Sequence, residues 1–65
     1  MKLVREFGPL IESGEIDGAI YEVRGATHPM VYVYRQTGGG LTGRATQLGS
    51  TPLEVLVRML AAELP

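Results

Sequence analysis

Residues 50–64 read STPLEVLVRMLAAEL and predict a helix that is apolar on more than one side. Ser50 or Thr51 can accept hydrogen bonds from the free amides of the first turn, and Pro52 suits the first helical position. Glu54 lies three residues after Thr51, which is the spacing of a capping box. This segment therefore predicts a C-terminal α-helix that begins at Pro52.

The apolar residues of this helix fall into two stripes. The first stripe comprises Leu53, Leu56, Val57, Leu60 and Leu64. The second stripe, called the helix strip below, comprises Val55, Met59 and Ala62. A surface helix normally carries one apolar stripe. Because a short chain has little material to cover both, the helix strip is predicted to contact another copy of the chain or a protein partner.

Length and composition place the chain among small single domains, here residues 1–65. Domains of this size usually need a disulfide, a metal or a partner subunit. The chain has no Cys and one His, so disulfides, thiolate metal sites and histidine clusters are excluded, and we expect neither a metal nor a cofactor. Of these means of stabilising a small domain, oligomerisation remains. No run of apolar residues approaches a membrane span, so we expect a cytoplasmic protein without membrane contact.

The N-terminal segment carries apolar residues at helical spacing, namely Leu3, Val4, Phe7, Leu10 and Ile11. Gly8-Pro9 interrupts this pattern, because an interior proline removes a backbone hydrogen bond and clashes with the preceding turn. The periodicity favours a helix broken near Gly8, with Gly14 as its C-cap. The alternative is an extended segment over residues 2–7 that leads into a short helix starting at Pro9.

Three segments between the helices predict strands: residues 18–25, 30–36 and 41–48. The middle segment is the clearest, because β-branched and aromatic residues alternate along it. The predicted fold is α+β in the order α-β-β-β-α, a three-stranded antiparallel meander with both helices packed on one face.

Strand alternation divides the predicted sheet into two faces. The residues expected to face the helices are Ala19, Tyr21, Val23, Val31, Val33, Leu41, Gly43 and Ala45. Those expected to face outward are Ile20, Glu22, Arg24, Tyr32, Tyr34, Gln36, Thr42, Arg44 and Thr46. This division requires Val33 to lie opposite Ala45, and therefore a three-residue loop over residues 38–40. Glycine supplies the positive φ that such a loop needs.

The outward face is the candidate binding surface, with Arg24, Tyr32, Tyr34 and Arg44 on the strands and His28 in a loop. Tyrosine and arginine are enriched at protein–protein hot spots. Aromatic side chains beside arginines can also stack bases and hold phosphates. Three readings therefore stay open: a protein contact, an ordinary exposed strand face, or a nucleic-acid surface to which Arg35 would add charge.

Other patterns point away from catalysis. The glycines of residues 38–43 match the spacing of a phosphate loop, but they lead into a strand and are typical of a flexible hairpin tip. The carboxylates around Gly14 are typical of a solvated turn. His28 has no acid or nucleophile at a spacing that suggests a catalytic set. We therefore expect a non-enzymatic interaction module.

The predicted layout resembles double-stranded RNA-binding domains. Residues 21–23, Tyr-Glu-Val, are similar to their first strand, and residues 25–28, Gly-Ala-Thr-His, to their Gly-Pro-x-His loop. Residues 49–51, Gly-Ser-Thr, lead into the last helix as their glycine does. In those domains lysines begin that helix and grip phosphates, whereas residues 52–54 here are Pro-Leu-Glu. The resemblance therefore implies the fold rather than RNA binding.

Overall fold

Four strands and one helix make up residues 8–25 and 27–65, the part of the chain that the computed structural model describes. In chain order the elements are β1 (Leu10–Ile16), β2 (Ala19–Arg24), β3 (Met30–Thr37), β4 (Gly40–Gln47) and α1 (Leu53–Ala62). The strands form one antiparallel sheet in the order β1-β2-β3-β4. The α+β class is confirmed, but the prediction of three strands is wrong.

The additional strand, β1, lies where the sequence pattern favoured a broken helix. Ile16 pairs with Ala19 across a two-residue turn, in which Asp17 and Gly18 both have positive φ, 53° and 76°. Asp-Gly suits this turn because both central residues of a type I′ hairpin need positive φ. The prediction of a helix that ends at Gly14 is therefore wrong from residue 10 onward, whereas residues 2–7 lie outside the described part. Over the described residues, the order of four strands and one helix likewise differs from the layout of double-stranded RNA-binding domains.

Gly14 lies within β1 rather than at the end of a helix, directly opposite Tyr21. A Cβ atom at Gly14 would come within 2.8 Å of the Tyr21 ring, so the ring occupies the space that a side chain would need. The Tyr21 hydroxyl donates a 3.0 Å hydrogen bond to Glu12, which lies two residues before Gly14 on β1. A cross-strand aromatic over a glycine therefore replaces the predicted C-cap.

The β3–β4 turn has two residues, Gly38 and Gly39, and places Val33 opposite Arg44. The prediction of a three-residue loop is therefore wrong. Because side chains alternate along a strand, a change of one residue in the loop moves every β4 side chain to the other face. Thr42, Arg44 and Thr46 lie on the face that packs against α1, called the helix face, and Leu41, Gly43 and Ala45 lie on the opposite, outer face. The predicted positions of these six residues are corrected accordingly.

The core lies between the helix face and α1, where Val31, Val33 and Val57 are fully buried. The other core residues are Ala19, Val23, Leu60, Ala61 and Leu64, with Ile16, Tyr21, Leu48, Leu53 and Leu56 packed around them. The first apolar stripe of the helix is thus confirmed as its buried side.

The helix begins differently from the prediction. Pro52 is the capping residue, with φ −55° and ψ 137°, and no side chain caps the first turn. Its carbonyl accepts the 3.0 Å bond from the Leu56 amide. Because Pro52 precedes the helix, the capping box of Thr51 and Glu54 is out of register and the cap prediction is wrong. Among the described residues, no helix is long and apolar enough to cross a bilayer.

Candidate binding surfaces

The outer face of the sheet has no helix on it within residues 8–25 and 27–65, since α1 packs on the other side. The register places Tyr32 opposite Ala45 and Tyr34 opposite Gly43. These four residues, together with Leu41, line a shallow groove with a volume of about 340 Å³. The groove forms because glycine and alanine leave the space beside the two tyrosine rings unfilled.

A hydrogen-bonded group of Glu22, Arg24 and Tyr34 lies on the same face. Arg24 Nε contacts Glu22 Oε1 at 2.6 Å, and the Tyr34 hydroxyl donates to Glu22 Oε2 at 2.7 Å. Arg24 also donates to the carbonyl of Gly8 at 3.0 Å. The Arg24 and Glu22 side chains are only 12% and 14% exposed. Their charges are therefore matched within the chain and are not available for an external phosphate.

This group shifts two ionisation equilibria. Burial alone would raise the pKa of Glu22, but hydrogen bonds from Tyr34 and Arg24, together with the Arg24 charge, lower it below the ordinary value. The pKa of Tyr34 is raised, first because its hydroxyl donates to Glu22, then by burial and by the negative charge of that carboxylate. Both shifts favour an ionised Glu22 held by a neutral Tyr34.

The arginines predicted to share a surface lie on different faces. Arg24 is on the outer face, whereas Arg44 is on the helix face, 3.7 Å from Glu63. Arg35 donates to the Asp17 carbonyl at 3.3 Å. The prediction of a combined tyrosine–arginine surface is therefore corrected: it brings together Tyr32, Tyr34 and Arg24 only.

His28 lies in the β2–β3 loop. It is exposed and lines a second hollow of about 210 Å³ with Thr27, Pro29, Gln47 and Gly49. Neither the paired tyrosines nor an arginine contributes to this hollow. Among the described residues, no three His, Asp or Glu side chains cluster as a metal site would require.

The helix strip lies on the solvent side of α1. Val55 is 46% exposed and Met59 is 55% exposed, and Ala62 one turn further is also exposed. Arg58 lies beside the strip and contacts Asp17 at 2.7 Å, which links the helix to the β1–β2 turn. The hydrogen bond to Asp17 and the charge of that carboxylate raise the pKa of Arg58. The strip is thus an apolar surface with a fixed cation at its side.

The sequence interpretation missed Leu41, which is 62% exposed on the outer face. It placed Ile20, which is 43% exposed, on the outward face but left it out of the candidate binding surface. A three-residue loop would place Leu41 on the helix face, whereas the two-residue turn places it on the outer face. The signal that could have corrected this assignment is Arg44, which the actual loop places beside Glu63 on the helix.

Comparisons with known proteins do not assign a family or a role. No family model matches the chain, and neither a curated protein nor a solved structure matches it. A function for this chain is therefore inferred from its own residues.

Proposed function

We propose that the chain is a non-enzymatic interaction module that self-associates and binds a protein partner. The observation that carries this proposal is the helix strip. Val55 and Met59 remain about half exposed on successive turns, while Val57, between them in sequence, is fully buried. Contiguous apolar surface of this kind is typical of interaction sites, because exposing it to water costs free energy.

The outer face supports the same proposal. Tyrosines are enriched at the centres of protein interfaces, and charged residues are depleted there. On the outer face Tyr32 and Tyr34 border an apolar groove, and the nearby Glu22 and Arg24 neutralise each other. A partner with an apolar contact surface could cover the groove without leaving an unpaired charge buried.

Sedimentation velocity at increasing protein concentration tests the proposal. We expect a species of at least two chains at high micromolar concentration, and a strict monomer would contradict self-association. Met59→Glu then examines the helix strip, with Ser50→Glu as a control that adds the same charge at an exposed site before the helix. Loss of the larger species in Met59→Glu alone, with an unchanged circular dichroism spectrum, assigns the strip to contacts between copies. If Met59→Glu still forms the larger species, the helix strip does not join the copies and is assigned to the protein partner.

The alternative is a nucleic-acid-binding module, which one observation favours: Tyr32 and Tyr34 lie on the same face and could stack bases. Phosphate contacts supply most of the affinity of such proteins. Here Arg24 is already bound to Glu22, and Arg44 lies on the other face. A shift assay at low salt with single-stranded and double-stranded RNA and DNA tests this alternative. Absence of a shift at high micromolar protein removes it.

A further inference from the structure

The two edges of the sheet differ in how well they are protected against pairing with another strand. In β1 the pairing is irregular between Leu10 and Glu12, and the strand carries two glutamates. By contrast, β4 pairs with β3 without interruption, contains no proline and carries a single charged residue, Arg44. Bulges, prolines and charges on an edge are the usual devices that prevent strand addition. Within the described residues, nothing pairs with the outer edge of β4.

The backbone groups of β4 that face this open edge can be identified. The Leu48 amide donates to the Pro29 carbonyl at 3.1 Å, just beyond the end of β4. Because hydrogen-bonded pairs alternate along an antiparallel ladder, the even-numbered residues of β4 bond to β3. The amides and carbonyls of Leu41, Gly43 and Ala45 therefore point away from the sheet, where another strand could bond to them.

We propose that two copies of this chain pair antiparallel through β4, about a twofold axis at Gly43, which makes one continuous sheet of the two copies. The inference rests on the self-association proposed above, assigns the contact between copies to the β4 edge, and leaves the helix strip to the protein partner. In an isologous antiparallel contact, the residue numbers of the two residues in each pair add up to the same sum. This sum is even, because paired residues must lie on the same face of the sheet. Two registers keep most of β4 paired, one centred on Gly43 and one on Arg44. The second brings two guanidinium groups directly opposite each other, which is destabilising.

The register centred on Gly43 matches side-chain sizes on the outer face. It places Leu41, the most exposed large apolar side chain among the described residues, opposite Ala45 of the second copy. Gly43 and Ala45 leave the groove beside the tyrosines open, so the leucine of one copy can contact small residues of the other. By symmetry this contact occurs twice.

The same register matches polar groups on the helix face. The Thr42 hydroxyl oxygen is buried and has no hydrogen-bond partner among the described residues. Pairing places Arg44 of the second copy directly opposite Thr42, in a pair whose Cα atoms are about 4.5 Å apart. Arg44 is exposed, and among the described residues its one polar side-chain contact is with Glu63 at 3.7 Å, so it can move to donate to this oxygen. A buried oxygen without a donor costs stability, and the second copy supplies the donor.

Hydrogen exchange of single amides, followed by NMR at low and high protein concentration, tests this contact. In the wild-type chain we expect the amides of Leu41, Gly43 and Ala45 to become protected as concentration rises. The amides of Thr42 and Arg44 should be protected throughout, because they bond to β3. Leu41→Lys should raise the dimer dissociation constant about tenfold or more and abolish the concentration dependence. Leu10→Lys is the matched control, an equivalent change at an exposed outer-face position of β1.

The outcomes separate this inference from the proposed function. A dimer in which the three outward amides gain protection, and which Leu41→Lys dissociates but Leu10→Lys does not, supports pairing through β4. A dimer whose outward amides exchange freely at every concentration overturns the edge contact and leaves self-association standing. A monomer at all concentrations overturns both.

Discussion

The Tyr34 hydroxyl on β3 donates a 2.7 Å hydrogen bond to Glu22 on β2, and this bond holds a carboxylate in place on the outer face of the sheet. Tyr34→Phe removes the donor and leaves the carboxylate with Arg24 alone. We expect the free energy of unfolding to fall by about 1–3 kcal/mol, since hydrogen bonds to charged groups contribute this much. Urea unfolding followed by circular dichroism measures the change.

Tyr21→Phe serves as the comparison for this prediction. It also deletes a tyrosine-to-glutamate hydrogen bond, that to Glu12, but an exposed one. Its effect should be smaller, because water can replace the lost partner. Equal effects of the two substitutions would contradict a special contribution from the Glu22 group.

The ionisation of Glu22 gives stability a defined pH dependence. The pKa of Glu22 is lowered in the folded chain from its ordinary value of 4.5, so the unfolded chain binds a proton more readily. The stabilisation is complete above pH 4.5 and is lost as the pH falls through the lowered, folded-state pKa. The stability difference between wild type and Glu22→Gln should therefore shrink on acidification below this range.

Glu15→Gln controls for the general effect of removing an acid. Glu15 is exposed and makes no hydrogen bond or ion pair with any described residue. Glu15→Gln reports the change in stability that follows from losing one exposed carboxylate, and the difference for Glu22→Gln is compared with it at each pH. A difference for Glu22→Gln that grows on acidification would contradict the sign of the shift.

Two valines in α1 distinguish the buried side of the helix from its exposed strip. Val57 is fully buried, so Val57→Ala should reduce the free energy of unfolding by about 2–3 kcal/mol through lost burial and the cavity left behind. Val55 is 46% exposed, and Val55→Ala should change stability by less than about 0.5 kcal/mol at low protein concentration. Thermal and urea unfolding of both variants measures the contrast, and similar losses would show that the strip is covered.

The β3–β4 turn offers another matched pair. Gly40 has φ of +125°, which residues with a side chain rarely adopt, so Gly40→Ala should destabilise the chain by about 1 kcal/mol or more. Gly39 has no positive φ, and nothing lies within 4 Å of an added Cβ. Gly39→Ala should therefore be neutral or slightly stabilising, since it restricts the unfolded chain. Equal responses in a thermal unfolding series would contradict this assignment of strain.

Sequence patterns sufficed for the elements whose apolar periodicity is regular. The alternation of residues 30–36 predicted β3, and the stripe containing Val57 and Leu60 predicted the buried side of α1. In β1 the consecutive apolar residues Leu10 and Ile11 lie at the pairing irregularity of residues 10–12, which interrupts the alternation of a regular strand. Two apolar residues in a row imitate a helical pattern. The Asp17-Gly18 dipeptide carried the information that residues 10–16 form a hairpin strand.

The candidate surface was predictable only where it did not depend on a loop. Helical spacing alone was enough to predict the positions of Val55 and Met59. The alternation of one strand was enough for Tyr32 and Tyr34. To predict the positions of Arg44 and Leu41, the number of residues in the turn must be known, because this number decides on which face of the sheet each of them lies. Three consecutive glycines fit either loop length, so the choice between the two depends on packing against α1.

The turn at Gly38-Gly39 has two residues, and this loop length decides which side chains of β4 lie on the outer face. One glycine inserted there would rotate β4 by half a turn about its axis. Two threonines and an arginine would then border the tyrosines, and Leu41 would point toward the helix. An apolar patch would become a cationic one without any substitution of an existing side chain. A change of one residue in the length of this loop could therefore change the kind of ligand that the outer face binds.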